Sequence, residues 1–207
     1  EPAKPAPPPM TKVGPNLFRI GEIEINTATR GVSVPRRINE VTVLEWVATT
    51  KDGRKGYERA ITLQGDAVSY NTAMLLIGLD KSRARVPERH FDPIPPAGDP
   101  VDIFVEWTRN GEKTRVGVDQ LLWDREKLAL LPLGAWVYTG SSFMDGRYLA
   151  ESDGTLIGFV HSPAPIIEQV SGAAVGRFGR IVLNPNLGLT TEVPLTVIVK
   201  NRAPAKP

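Results

Sequence analysis

The chain contains no cysteine, which excludes disulfides, iron–sulfur clusters and thiolate catalysis. It has only two histidines, His90 and His161, so few side chains are suited to holding a transition metal. It also lacks any run of about 18 apolar residues, and we therefore expect no membrane-spanning segment. The sequence patterns of zinc proteases, EF-hands, P-loops and dinucleotide-binding folds are absent as well. These absences remove the familiar signatures of redox, metal and nucleotide chemistry, and we expect no cofactor.

The charges of the chain are nearly balanced, with 25 lysines and arginines against 23 aspartates and glutamates. The end segments 1–16 and 201–207 carry net charges of +1 and +2, which leaves −1 for residues 17–200. A nucleic-acid-binding protein needs its cations massed against phosphates. We therefore expect no nucleic-acid partner, and we interpret the local cluster of Lys81, Arg83 and Arg85 as part of a solvated loop.

Proline is concentrated at the start of the chain, where residues 1–16 hold six of the 19 prolines. Such a segment favours the polyproline II conformation and acts as a semi-rigid spacer. Because the sequence begins at Glu1, we expect that a signal peptide or a lipid-anchored leader has been removed. These features predict an exported periplasmic or cell-surface protein with a flexible spacer over 1–16, one domain over 17–200 and a flexible tail over 201–207.

Apolar residues alternate in two-residue steps through most of the chain, as half-buried strands require. The clearest case is 101–118, where Asn110-Gly111 supplies the pair that a type I′ turn needs and so predicts a hairpin. A second hairpin is predicted over 41–63, around Asp52-Gly53. Further Asp-Gly turns are predicted at 145–146 and 153–154, on either side of a short strand over 147–150.

One segment has the period of a helix. From Asp66 to Leu79 an apolar stripe recurs at helical spacing, and Asp66 is placed to cap the N-terminus. The stripe consists of Val68, Thr72, Leu75, Leu76 and Leu79. A single strong helix must bury this stripe against a sheet. The sequence therefore predicts an α+β fold: a predominantly antiparallel β-sheet, one main helix packed on it, and short accessory helices, including one after Ser162-Pro163.

The histidines offer two weak constellations. The HxD pattern at 90–92 would place two ligands on one face of an extended segment, but prolines surround it, and we interpret His90 as a surface-loop residue. Ser141 or its neighbour, with His161 and Asp153, would supply the components of a hydrolytic triad. The nucleophile-elbow pattern GxSxG is absent, however, so we interpret the serines as turn residues.

Carboxylates offer a further route to catalysis, since two that meet can perform general acid–base chemistry. The candidates are Glu58, Glu151 and Asp153. The chain also has four tryptophans, which we interpret as core or rim residues in preference to a ligand platform. They are Trp46, Trp107, Trp123 and Trp136.

Three segments together resemble the YdjY-like domain family: YNTAMLLIGLD (70–80), WVYTGSSF (136–143) and YLAESDGTLIGFV (148–160). The resemblance spans roughly residues 17–200 and rests on the order and spacing of these motifs. The family has no assigned activity, so the resemblance implies a fold and not a reaction. The family-like positions where a site is expected are Glu58, Trp136, Gly140, Ser141, Tyr148 and Asp153. If Glu58, Tyr148 and Asp153 converge, they would form a polar pocket at one end of the sheet.

The missing catalytic motifs and the proline-rich ends favour a non-catalytic binding or structural module of the bacterial cell envelope. Its partner would be an envelope component or a small ligand. The alternative is a hydrolase or transferase that uses Glu58 and Asp153 on an envelope substrate. A third hypothesis is a small-molecule or peptide binder that uses a sheet edge and exposed tryptophans.

Overall fold

The computed structural model describes residues 7–40, 43–53, 58–172 and 179–204. The helices in these ranges are α1 (Ala67–Leu76) and α2 (Leu149–Asp153), with 3₁₀ helices at Lys81–Arg83, Val118–Leu121 and Pro185–Leu187. The strands are β1 (Met10–Gly14), β2 (Leu17–Ile20), β3 (Ile23–Asn26), β4 (Gly31–Arg37), β5 (Trp46–Thr50), β6 (Arg59–Leu63), β7 (Asp99–Arg109), β8 (Glu112–Gly117), β9 (Leu122–Asp124), β10 (Ala129–Leu130), β11 (Trp136–Tyr138), β12 (Phe143–Met144), β13 (Arg147–Tyr148), β14 (Thr155–Gly158), β15 (Ile167–Gln169), β16 (Ile181–Leu183) and β17 (Pro194–Asn201).

Within the described residues, twelve strands form one mixed sheet in the order β1-β2-β3-β4-β17-β7-β11-β15-β14-β5-β6, with β8 as a further partner of β7. The β5–β6 and β14–β15 pairs are parallel. The sheet curls until Ile38, just after β4, bridges Ile61 in β6. Its inner face holds the apolar core, where Val34, Val197 and Val105 lie side by side on neighbouring strands.

The predicted α+β class is wrong, because the protein is mostly β: strand accounts for 43% and helix for 13% of the structure. A sheet that curls onto itself buries its apolar face without a helical layer. In the described residues α1 is the one helix of seven or more residues, and it contacts β3, β14 and α2. Since β3 and β14 are far apart in the strand order, α1 contacts two distant parts of the curled sheet.

The cap predicted for α1 is confirmed, but its predicted buried stripe is wrong at Val68 and Leu75, although Leu79 is buried and Leu76 packs against the core. Asp66 Oδ1 accepts a hydrogen bond from the Ser69 amide at 2.7 Å. Val68 and Leu75, however, are 47% and 48% exposed. The buried residues of the helix are Ala67, Ser69, Tyr70, Ala73 and Met74. Apolar residues occur all round α1, so periodicity alone does not select the buried face, and the neighbouring elements decide it.

The hairpin predicted over 101–118 is confirmed. β7 pairs antiparallel with β8 from Phe104–Gly117 to Arg109–Glu112. Asn110 and Gly111 both have positive φ, 51° and 80°, as the two central residues of a type I′ turn must. This element depends only on residues close in sequence, which is why its pattern was sufficient to predict it.

The hairpin predicted around Asp52-Gly53 is wrong, because β5 and β6 run parallel. The Glu58 carbonyl accepts hydrogen bonds from the amides of Glu45 and Trp46, at 2.9 and 3.1 Å. The chain therefore returns to the start of β5 before β6 begins. Part of this connection, residues 54–57, lies outside the described residues.

Several predicted boundaries are also revised. β1 lies inside the predicted spacer 1–16 and pairs with β2, so strand structure begins before residue 17. The helix predicted after Ser162-Pro163 is wrong: β15 forms there and pairs on one side with β11 and on the other with β14. The strand predicted over 147–150 is divided between β13 and the start of α2. Residues 1–6 of the predicted spacer (1–16) and 205–207 of the predicted tail (201–207) lie outside the described residues.

Candidate functional site

Trp136 is anchored in a buried polar network on β11. Its indole Nε1 donates to both carboxylate oxygens of Asp119, each at 3.2 Å. Asp119 Oδ1 also accepts from Gln169 Nε2 at 2.7 Å. Burial raises the pKa of Asp119, and these hydrogen bonds oppose the shift. Trp46, Trp107 and Trp136 are all buried, so the predicted packing role fits them better than an exposed ligand platform.

Ser141 and Tyr148 have structural roles at the turn formed by Gly140 and Ser141. The Tyr148 hydroxyl donates to the Gly140 carbonyl at 3.2 Å, and Lys81 Nζ donates to it at the same distance. Ser141 is fully buried, and its Oγ accepts from the Ala150 amide at 3.0 Å. Burial raises the pKa of the Tyr148 phenol. A buried serine held in this way is not positioned as a nucleophile.

Glu58 and Asp153 lie at opposite ends of β5. Glu58 contacts the start of the strand through the Trp46 amide, whereas Gly154, the residue after Asp153, accepts from the Thr50 amide at its end. A strand of this length separates its ends by about 13 Å. The three residues Glu58, Tyr148 and Asp153 therefore do not converge in the predicted polar pocket, and Glu58 and Asp153 do not form an acid–base pair.

The constellations built on histidine are not assembled either. His161 lies with Nδ1 2.8 Å from the Asp92 carbonyl oxygen and Nε2 3.2 Å from that of Val170, so its ring nitrogens face backbone and not Ser141. The Asp92 carboxylate accepts hydrogen bonds from the amides of Glu88 and Ile94. In the described part of the chain, no group of three or more histidines and carboxylates could hold a metal, and no helix is long and apolar enough to cross a membrane.

The cluster of Lys81, Arg83 and Arg85 is structural. Arg83 binds the buried carboxylate of Asp99 through Nε and Nη2, at 2.7 and 2.6 Å. Lys81 donates to the Gly140 carbonyl, as described above. Arg85 forms an isolated antiparallel β-bridge with Ala97. Two of the three cations thus have partners within the fold, and the cluster does not form an anion site.

A cleft of about 560 Å³ lies at the seam of the curled sheet, between β4 and the β5–β6 pair. The space arises because β4 and β6 meet at Ile38 and Ile61 and do not pair beyond that bridge. Residues 35–37 line one wall, and Thr62 and Gln64 line the other. The volume is typical of a site for a small ligand.

The described walls of this cleft carry more cationic than acidic side chains. They carry the side chains of Arg36, Arg37, Lys51 and Arg59, against the single acidic side chain of Glu22 among the described residues that line it. A concave surface with one sign of charge raises the local concentration of oppositely charged ligands. We refer to these five residues and the space between them as the seam cleft.

Arg36 enters the seam cleft from β4. Its side chain is only 11% exposed, and it forms an ion pair with Glu22, whose side chain is 52% exposed. The Nε–H of Arg36 is buried and has no hydrogen-bond partner among the described residues. A buried donor without a partner costs about 1–3 kcal/mol.

Arg59 reaches the seam cleft from the other wall. Its Nη1 donates to Thr49 Oγ1 and to the Thr50 carbonyl, both at 2.9 Å. Its Nε, like that of Arg36, is buried without a partner in the described residues. Burial lowers the pKa of Arg59, and the charge of Asp52 opposes this shift. The guanidinium nevertheless stays charged at physiological pH.

Sequence reasoning missed the seam cleft because its cations are scattered along a body with almost no net charge. The available signal is the Arg36-Arg37 pair directly after Pro35, which places two cations at the end of a strand. It also missed Glu168, a fully buried carboxylate on β15.

Comparisons with protein-family models, curated proteins and solved structures give no match.

Proposed function

We propose that this protein is a non-catalytic binding module that holds a small anionic ligand in the seam cleft. The observation that carries the proposal is the convergence of four cationic side chains on one concave site of about 560 Å³. Guanidinium groups bind carboxylates and phosphates with paired, charge-assisted hydrogen bonds. The ligand class is therefore a small molecule, or an exposed group of an envelope component, that carries phosphate or carboxylate.

Binding is favoured over catalysis by the arrangement of the carboxylates. The acid–base alternative needs Glu58 and Asp153 at one reacting centre, and they lie at opposite ends of β5. The seam cleft itself offers mainly cations, which hold an anion, and its one carboxylate among the described lining residues, Glu22, is paired with Arg36. A single cleft also differs from the extended row of cations that contacts a nucleic acid.

We further propose that the protein is exported and acts at the cell envelope as a YdjY-like module. The supporting observations are the proline-rich N-terminal segment and the motifs of 70–80, 136–143 and 148–160. An anion-binding module suits this location, since phosphate and carboxylate groups are exposed there. Fractionation of cells that express the native gene would test it, and recovery of the protein in the cytosol alone would overturn it.

The anion proposal is tested by titrating inorganic phosphate into the protein in a calorimeter at low ionic strength. We expect saturable binding that Arg36→Gln weakens about tenfold or more, since a hydrogen bond to a charged group contributes about 1.5–3 kcal/mol. Lys51→Gln, at an exposed position, provides a second variant that leaves the fold intact. The matched control is Arg125→Gln, an exposed arginine away from the cleft. If neither phosphate nor acetate binds, or if all three variants lose affinity equally, the proposal is wrong.

Removing the acidic residue of the seam cleft should have the opposite effect. Glu22→Gln releases Arg36 from its ion pair, and we expect phosphate affinity to rise about two- to fivefold, the range of an exposed ion pair. The gain should shrink as salt is added. Glu24→Gln is a close control, because Glu24 is equally exposed and paired with Arg19 outside the cleft. An unchanged or lower affinity in the Glu22 variant would count against the site.

A further inference from the structure

The cations of the seam cleft come from two walls, β4 and the β5–β6 pair, and few backbone contacts join these walls. Arg36 and Arg37 belong to β4, whereas Lys51 and Arg59 belong to the β5–β6 side. β4 pairs with β17 at seven positions, but in the described residues it meets β6 at the single bridge between Ile38 and Ile61. The two walls are therefore held together less firmly than neighbouring strands elsewhere in the sheet.

Asn39 makes further contacts across the seam. Its amide donates to the Ala60 carbonyl at 2.8 Å, and its Nδ2 donates to the Arg59 carbonyl at 3.2 Å. Thr62 Oγ1 donates to Asn39 Oδ1 at 3.0 Å. These bonds connect the strand that carries Arg36 with the strand that carries Arg59. Any force that draws the two arginines together therefore reinforces the same contacts.

Each wall carries one guanidinium group with only some of its N–H groups hydrogen-bonded. Arg36 and Arg59 both use Nη atoms in contacts within the protein, and both have a buried Nε–H without a partner in the described residues. If each side chain turned so that its Nε–H and an Nη–H both faced the cleft, it would have the geometry that binds one carboxylate or phosphate in a bidentate manner. Because the two guanidinium groups lie on opposite walls, a ligand with two anionic groups can contact both of them, whereas a ligand with one group can contact only one.

We propose, building on the anion-binding function, that the ligand of the seam cleft carries two anionic groups and bridges Arg36 and Arg59. By contacting both walls it closes the seam between β4 and β6. The shared chemistry is a compact molecule with two such groups, either a diphosphate or a dicarboxylate. Once one group is bound, the second binds at a high effective concentration, which raises affinity beyond that of either group alone.

The test compares ligands with one and with two anionic groups on the same wild-type protein. Pyrophosphate is titrated against inorganic phosphate, and succinate against acetate, at constant ionic strength. We expect the two-headed member of at least one pair to bind tenfold or more tighter. Arg59→Gln and Arg36→Gln, which alter the two bridging groups on opposite walls, should each remove most of that advantage while weakening the one-headed anion less.

Amide hydrogen exchange gives an independent readout of seam closure. The Asn39 amide should exchange at least fivefold more slowly with the bridging ligand than with its one-headed counterpart, while amides of the β7–β8 hairpin stay unchanged. Equal affinity for one- and two-headed anions, or unchanged Asn39 exchange, would overturn the bridging proposal and leave simple anion binding intact. If no anion of either kind binds, both proposals fall.

Discussion

Replacing Gly154 with alanine should lower the free energy of unfolding by about 3 kcal/mol or more. Gly154 ends α2 with φ = 75°, a left-handed conformation that costs an L-residue about 1–2 kcal/mol. An added Cβ would also lie 2.3 Å from Gly53 Cα and 2.6 Å from Thr50 Oγ1. Backbone atoms cannot move aside cheaply, so the contact adds to the conformational penalty. Urea unfolding monitored by tryptophan fluorescence measures the loss.

Gly146→Ala is the matched control for this variant. Gly146 also follows an aspartate and has φ = 73°, but an added Cβ meets no heavy atom of the described residues within 4 Å. We expect a loss of about 1–2 kcal/mol, from the left-handed conformation alone. Equal losses at the two glycines would show that the close approach of Gly154 to Gly53 does not contribute.

The second large effect is expected at Glu168, where glutamine should stabilise the protein at neutral pH. Glu168 is fully buried, its Oε1 accepts from the Ser162 amide, and its Oε2 has no partner among the described residues. Burial raises the pKa of Glu168 well above its usual value, and Asp92 adds to the shift. A raised pKa means that the folded protein binds this proton more tightly than the unfolded chain does. The stability it contributes is present below the unfolded pKa of about 4.3 and is lost as pH rises through the folded value.

Glu168→Gln mimics the neutral acid and keeps the acceptor for Ser162. We expect the variant to match the wild type near pH 4.5 and to become more stable with rising pH, by about 1–3 kcal/mol at the upper end. Chemical unfolding at intervals from pH 4.5 to 8 measures this difference. Glu112→Gln, at an exposed position on β8, should track the wild type throughout. A Glu168 variant that is less stable at every pH would mean that the carboxylate has a partner when charged.

Local sequence patterns predicted the elements that depend on neighbouring residues. The β7–β8 hairpin follows from Asn110-Gly111 between alternating apolar residues, and the cap of α1 follows from the hydrogen-bonding side chain of Asp66. In both cases the interacting atoms are a few residues apart. The Asp52-Gly53 pair has the same local chemistry as a hairpin turn, yet it begins a connection between parallel strands, because pairing with β6 is decided outside that segment.

The residues of the predicted site are only partly brought together in the fold. Tyr148 does reach the turn that holds Ser141, because the short β12–β13 hairpin follows that turn directly in sequence. Glu58 and Asp153 do not meet, because their positions depend on how β5, β6 and β14 are ordered in the sheet. The seam cleft escaped prediction for the same reason, since Arg36 and Arg59 become neighbours only when the sheet curls.

The sequence by itself determined that the protein is rich in strands, where its clearest hairpin turns and where its main helix begins. These features arise from backbone preferences and side-chain periodicity over a few residues, and their energies are local. Tertiary structure alone decided the parallel pairing of β5 with β6, the face that α1 buries and the gathering of cations at the seam. Each of these depends on contacts between segments distant along the chain, whose free energy no short stretch of residues contains.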